Sequence, residues 1–148
     1  MPLDKGDKPK ITFLLPDYDN GKPQPFITAG ISAGFASPAQ DFMEVRIDLN
    51  QVLTDNKLTT FYIRVSGNSM TDAGIDNDDI LVVDRSLEPH DGKIAIYLID
   101  GDFTVKRLKV EKDCMYLIPE NKNYQPIKVT EDNQFVIWGI VTYVIKKI

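Results

Sequence analysis

A chain of 148 residues, 43% hydrophobic and 26% charged, is enough for one globular domain with a buried core. Its net charge of −5 falls entirely after Ser32, since the first 32 residues balance four Lys against four Asp while the rest carries 13 basic and 18 acidic side chains. An acidic body matches a phosphate backbone poorly, which argues against direct, autonomous DNA binding, and no apolar run reaches the length of a signal peptide or of a membrane span, so a cytoplasmic protein is expected.

Five of the nine prolines stand at Pro2, Pro9, Pro16, Pro23 and Pro25. Each ring removes a backbone donor and restricts the residue before it, so residues 1–33 are expected as an extended arm, with no room for a helix-turn-helix. Thr28 to Pro38 is a run of small residues with isolated apolar ones. Its composition favours a linker; the functional alternative is a segment that lies extended in a narrow cleft, where small side chains let a protease approach the backbone. Ile47 to Leu53 predicts a short helix capped by Asp48, with Leu49, Val52 and Leu53 on one face.

The alternation Phe61-Tyr62-Ile63-Arg64-Val65 predicts a strand, and Ser66-Gly67-Asn68-Ser69-Met70 a tight turn after it, opening a short helix. A serine at such a corner is exposed, and the backbone N–H groups there lack intrahelical partners. Those donors can stabilise an oxyanion formed by attack of the Ser69 hydroxyl. A turn followed by a helix cap is the commoner meaning of the same residues. The acidic stretch Asp72 to Asp79 lacks the order and the closing Glu of an EF-hand, and is expected as a solvated loop.

From Ile80 the pattern is dense in strands: Ile80–Val83, Lys93–Ile99, Phe103–Val110, Met115–Ile118, Ile127–Val129 and Phe135–Val144. Asp100-Gly101 between two of them signals a tight hairpin. The expected body, residues 34–148, is mainly β, a twisted, partly closed antiparallel sheet. Cys114, the only cysteine, excludes an internal disulfide and is expected as a structural thiol. His90, the only histidine, sits in a loop; any Ser-His-Asp triad would have to use it, and no Cys/His cluster exists to hold zinc. No cofactor and no metal are expected.

Period 2 in Phe103–Val110 puts Thr104, Lys106, Leu108 and Val110 on one face. A lysine with apolar company loses proton affinity, because burial disfavours the ammonium. Bringing it near neutrality takes a shift of roughly 3 units, about 4 kcal/mol, within reach of a buried amine only. A neutral Lys106 can take the Ser69 proton without any histidine. A surface lysine in a hairpin is the plainer alternative.

Ser66-Gly67-Asn68-Ser69-Met70, a lysine 37 residues later in Phe103-Thr104-Val105-Lys106, and Ala33-Gly34 upstream together resemble the LexA-type self-cleaving Ser-Lys peptidases, in their UmuD-like branch. The similarity also runs through Gly34–Asp41, Arg46–Gln51 and Leu117–Asn121. This resemblance implies the LexA C-terminal or signal-peptidase-like β fold. It also implies Ser69 as nucleophile, Lys106 as general base, the Ser69 backbone N–H in the oxyanion hole, and cleavage between Ala33 and Gly34. Ala before the scissile bond is the repressors' choice, where UmuD-like chains have Cys. The resemblance further implies a homodimer, cleavage stimulated by a RecA–single-stranded DNA filament, and a truncated product that joins an error-prone Y-family (UmuC-like) translesion polymerase in the SOS response.

Three rivals use the same residues. A free LexA or phage-type repressor needs a DNA-binding domain ahead of Ala33, a signal peptidase needs a membrane anchor, and neither is expected in the 32 proline-broken residues before Ala33. A non-catalytic β-rich interaction module would leave Ser69 and Lys106 incidental.

Overall fold

The computed structural model describes residues 12–15, 21–27 and 44–148. In chain order it contains β1 (Thr12–Leu14), β2 (Gln24–Ile27), β3 (Glu44–Ile47), α1 (Leu49–Leu53), β4 (Thr60–Arg64) and a 3-10 turn (Thr71–Ala73). These are followed by β5 (Ile80–Asp84), β6 (Ile94–Ile99), β7 (Asp102–Val110), β8 (Met115–Ile118), β9 (Ile127–Val129) and β10 (Phe135–Ile145). The described residues divide into two compact units, one of residues 12–15 and 56–148, the other of residues 21–27 and 44–55.

In the smaller unit β2 and β3 pair antiparallel, Gln24 opposite Ile47 and Ile27 opposite Glu44. Asp48 caps α1 as its position predicts, its Oδ1 accepting the Asn50 N–H at 3.0 Å. The apolar face expected on this helix is not a core face: Leu49 is 56% and Val52 44% exposed. A helix of five residues is too short to bury a stripe.

The larger unit is one antiparallel sheet of eight strands in the order β1-β4-β5-β10-β6-β7-β8-β9. The mainly β, antiparallel class read from the sequence is the class found. Asp100 and Gly101 both take positive φ, 48° and 87°, the backbone that a two-residue hairpin needs, and they set Ile99 opposite Asp102. β10 runs between β5 and β6 and shifts register against both, near Ile137/Gly139 and near Val141/Tyr143. Gly139 sits where a Cβ would lie 2.6 Å from Val83 Cγ1, so only a glycine lets β10 pass that close.

Alternation along β6 divides the core. Ile96 joins Phe61, Ile63, Leu81, Val83 and Val105, together with Met70 and Ile75 from the turn region after β4. Ala95, Tyr97 and Ile99 instead pack with Leu108, Leu117, Val129 and Ile140. The stretch Asp72–Asp79, expected as a solvated loop, is partly interior: Ile75 is buried in the first cluster and Asp79 is buried as well. The reason lies 67 residues later, where Lys146 Nζ donates to Asp79 Oδ2, and to Asp76 Oδ2 at 2.6 Å. A cation from the end of β10 makes burial of that carboxylate tolerable.

Candidate active site

β4 ends at Arg64, and the chain turns through Gly67, whose φ of 109° is open to glycine and rarely to other residues. The helix expected to open here is a single 3-10 turn, Thr71–Ala73, entered from Met70 and closed by Gly74 in the left-handed region. Met70, buried in the first core cluster, pins the turn from below and leaves Ser69 half-buried at its rim. Among the described residues, neither the Ser69 N–H nor the Met70 N–H finds an acceptor.

The same sheet delivers Lys106. On β7 it stands opposite Ala95 of β6, and the ladder between these two strands fixes where its side chain starts. Lys106 is 6% exposed. Its Nζ lies 2.9 Å from Ser69 Oγ, 2.7 Å from Thr104 Oγ1 and 3.0 Å from the Val105 carbonyl oxygen. Among the described residues no carboxylate forms an ion pair with it. Burial therefore acts unopposed and pushes the Lys106 amine down from 10.5 to about 8.

As an ammonium, Lys106 donates to all three oxygens; once neutral it keeps two N–H bonds, for Val105 O, which can only accept, and for Thr104 Oγ1, and can turn its lone pair to the Ser69 hydroxyl. A recess of about 10 Å³ is lined by Ser66, Ser69 and Thr104 together with Val65, Gly67, Met70, Ile75 and Val105. Its surface is mostly apolar and it holds about one water-sized group.

Ser69 and Lys106, 37 residues apart in sequence, are thus brought into hydrogen-bond contact. Ala33 and Gly34 lie outside the described residues, as does the run Thr28–Pro38. His90 stands exposed in the segment between β5 and β6, and Cys114 is half-buried just before β8. Thr104 and the Val105 carbonyl did not stand out in the sequence as partners of the amine. The signal for Thr104 was present, since period 2 puts it beside Lys106 on the same face of β7. A second group of contacts was invisible there: Asn121 donates to the Asn68 carbonyl at 2.8 Å, and Asp72 N–H to the Glu120 carbonyl at 2.8 Å.

Comparison with known proteins gives the same direction. Residues 25–142 match the family described as Peptidase S24-like. The protein MucA of Salmonella typhimurium is 42% identical over 121 residues, which cover 80% of this chain and 82% of MucA. ImpA of Shigella flexneri is 37% identical over 133 residues, covering 89% of this chain and 90% of ImpA. The LexA repressor of Stenotrophomonas maltophilia is 35% identical over 114 residues, 77% of this chain and 52% of the repressor.

Proposed function

The chain belongs to the Peptidase S24-like family, as a UmuD-like member, and from that premise we propose that it is a serine endopeptidase that cuts its own Ala33–Gly34 bond with a Ser69–Lys106 dyad. The observation that supports this most is the 2.9 Å approach to the Ser69 hydroxyl of a buried amine with no counter-ion among the described residues. Neutral Lys106 takes the Oγ proton as Oγ adds to the Ala33 carbonyl carbon. The oxyanion is received by the Ser69 N–H and by the neighbouring Met70 N–H. Collapse breaks the Ala33–Gly34 bond; the Lys106 ammonium gives its proton to the Gly34 amine, which becomes the new N-terminus of residues 34–148, while Ala33 stays esterified to Ser69. Water, deprotonated by the now neutral Lys106, then hydrolyses the Ser69 ester and frees the arm, residues 1–33.

The small, mostly apolar recess beside Ser69 supports this choice of bond, because it suits a methyl group and nothing much larger. Ala33 presents that methyl group, and Gly34 adds no side chain on the far side. The acidic body supports an effector that is a protein assembly in place of bare DNA. We assign that role to a RecA–single-stranded DNA filament, which biases the arm toward the cleft without supplying catalytic groups. The truncated form acts as a homodimer with a Y-family translesion polymerase, in the cytoplasm, during the SOS response.

Mass spectrometry of protein held at alkaline pH tests the peptidase reading: a fragment starting at Gly34 is expected from wild type and none from Ser69→Ala. A Gly34 fragment from Ser69→Ala overturns it. For the effector, RecA, single-stranded DNA and a slowly hydrolysed nucleotide should accelerate cleavage at pH 7. Equal rates with and without the filament refute that part alone.

A further inference from the structure

The turn that carries Ser69 is held from two sides. Upstream, Val65 N–H donates to Asp79 O at 2.9 Å, Asp78 N–H to Val65 O at 2.8 Å and Gly67 N–H to Asn77 Oδ1 at 2.9 Å. These ties come from the neighbouring loop and stop two residues short of the nucleophile. Downstream, the ties come from the segment after β8. Glu120 N–H points to Met70 Sδ at 3.4 Å, and the Glu120 carbonyl accepts Asp72 N–H at 2.8 Å. Asn121 Nδ2 donates to Asn68 O at 2.8 Å and lies 3.3 Å from Thr71 Oγ1.

The contact to Asn68 O matters because of which peptide it touches. The Asn68 carbonyl and the Ser69 N–H are two ends of a single planar, trans unit. Fixing the carbonyl therefore aims the N–H in the opposite direction. The only other hydrogen bond to this carbonyl is the long one from Thr71 N–H, at 3.4 Å, among the described residues. Asn121 is itself held: it is half-buried, and its Oδ1 accepts Asn123 N–H at 2.9 Å. Arg107, the residue after Lys106, forms an ion pair with Glu120 and donates from Nη1 to Gly92 O at 2.6 Å. One segment thus ties the turn that holds Ser69 to the strand that holds Lys106.

We infer that Asn121 is a positioning residue for the Ser69 chemistry, orienting the Asn68–Ser69 peptide so that its N–H faces the oxyanion and the Ser69 hydroxyl stays in reach of Lys106. This rests on the peptidase reading above and adds to it a group that never touches substrate. Loss of an aimed oxyanion donor costs about 10²–10³-fold in rate, and loss of its aim is expected to cost about tenfold or more. Lys106 keeps its burial, so the pH midpoint of the reaction stays where it was.

The test uses the full chain as wild type, Asn121→Ala and Asn121→Asp, at a temperature where circular dichroism shows all three folded. Asn121→Asp keeps the volume and an oxygen for Asn123 N–H, loses the donor to Asn68 O and Thr71 Oγ1 and adds a negative charge, so it carries the plateau test if Asn121→Ala fails to fold, while the midpoint is read on Asn121→Ala. Two rates are read across pH: release of the Gly34 fragment, and phosphonylation of Ser69 by a fluorophosphonate probe, which needs no arm. Expected is a plateau lower by about tenfold or more in both rates, with an unchanged midpoint in Asn121→Ala. Plateaus within twofold of wild type overturn the inference, as does a loss seen only where the fold melts. A wild type that is labelled yet never cleaved removes the self-cleavage reading and leaves Asn121 to be judged on labelling; a wild type that is neither labelled nor cleaved overturns both.

Discussion

Lys106 and Ser69 meet at 2.9 Å, yet the two sides of that contact are built in opposite ways. Lys106 starts from the interior of a nine-residue strand, opposite Ala95, and its position follows from the ladder and from the apolar core around it. Ser69 sits on an irregular turn whose place is set by individual hydrogen bonds from Asn77, Asp78 and Asp79 on one side and Glu120 and Asn121 on the other. The strand supplies a dry environment that disfavours charge. The turn supplies direction. A burial-based site resists single polar substitutions, whereas a direction-based one is open to them.

Substitution at the amine breaks this contrast most severely. Lys106→Met should abolish the Gly34 fragment, a loss of about a thousandfold or more, while raising stability. The sign follows from the lowered amine: between about 8 and 10.5 the unfolded chain binds a proton that the folded one does not. The burial penalty is thus complete below about 8 and relieved as pH rises toward 10.5. Removing the amine should gain up to about 3 kcal/mol at pH 7, and nothing at pH 11, by urea denaturation. The wild-type cleavage rate should rise about tenfold per pH unit well below the midpoint, about fiftyfold from pH 6 to 8, and flatten beyond it.

Thr104→Val sharpens the lysine side. It removes one acceptor that favours the ammonium, so the midpoint should move below the wild-type value, and the less well oriented amine should lower the plateau by about tenfold. The smallest effect is expected far along the turn side, at Lys146→Ala. This change frees buried Asp79 from its cation and should lower the melting midpoint by a few degrees at pH 7, with cleavage within about twofold of wild type below that temperature. Asp76 and Asp79 hold the Lys146 amine above its ordinary value, so the tie is complete below 10.5 and lost as pH rises past the raised value. The difference between variant and wild type should fade there.

This contrast also separates what could be read in the sequence from what could not. Strand residues obey period 2, so β5 to β10, the Asp100-Gly101 hairpin and the face shared by Thr104 and Lys106 were legible within a residue or two. Gly67 announced the turn before Ser69. The holding contacts were not legible, because Asn121 meets Asn68 across 53 residues and Lys146 meets Asp79 across 67, and neither obeys a periodicity. For the same reason Asp72–Asp79 read as a solvated loop: four acidic residues in eight suggest water, and the cation that lets one of them be buried is remote. The face expected on α1 failed for another cause, since a pattern can be helical over a length too short to bury it.

Proton transfer from Ser69 depends on Lys106 giving up its own proton near neutrality while the chain is folded. Its titration in intact Ser69→Ala protein, followed by carbon-13 NMR of the lysine ε-carbon, measures this directly. One lysine should titrate with a midpoint at about 8, absent from the Ser69→Ala/Lys106→Met double variant. A Lys106 that stays protonated until the ordinary lysine range near 10.5 would contradict the dyad.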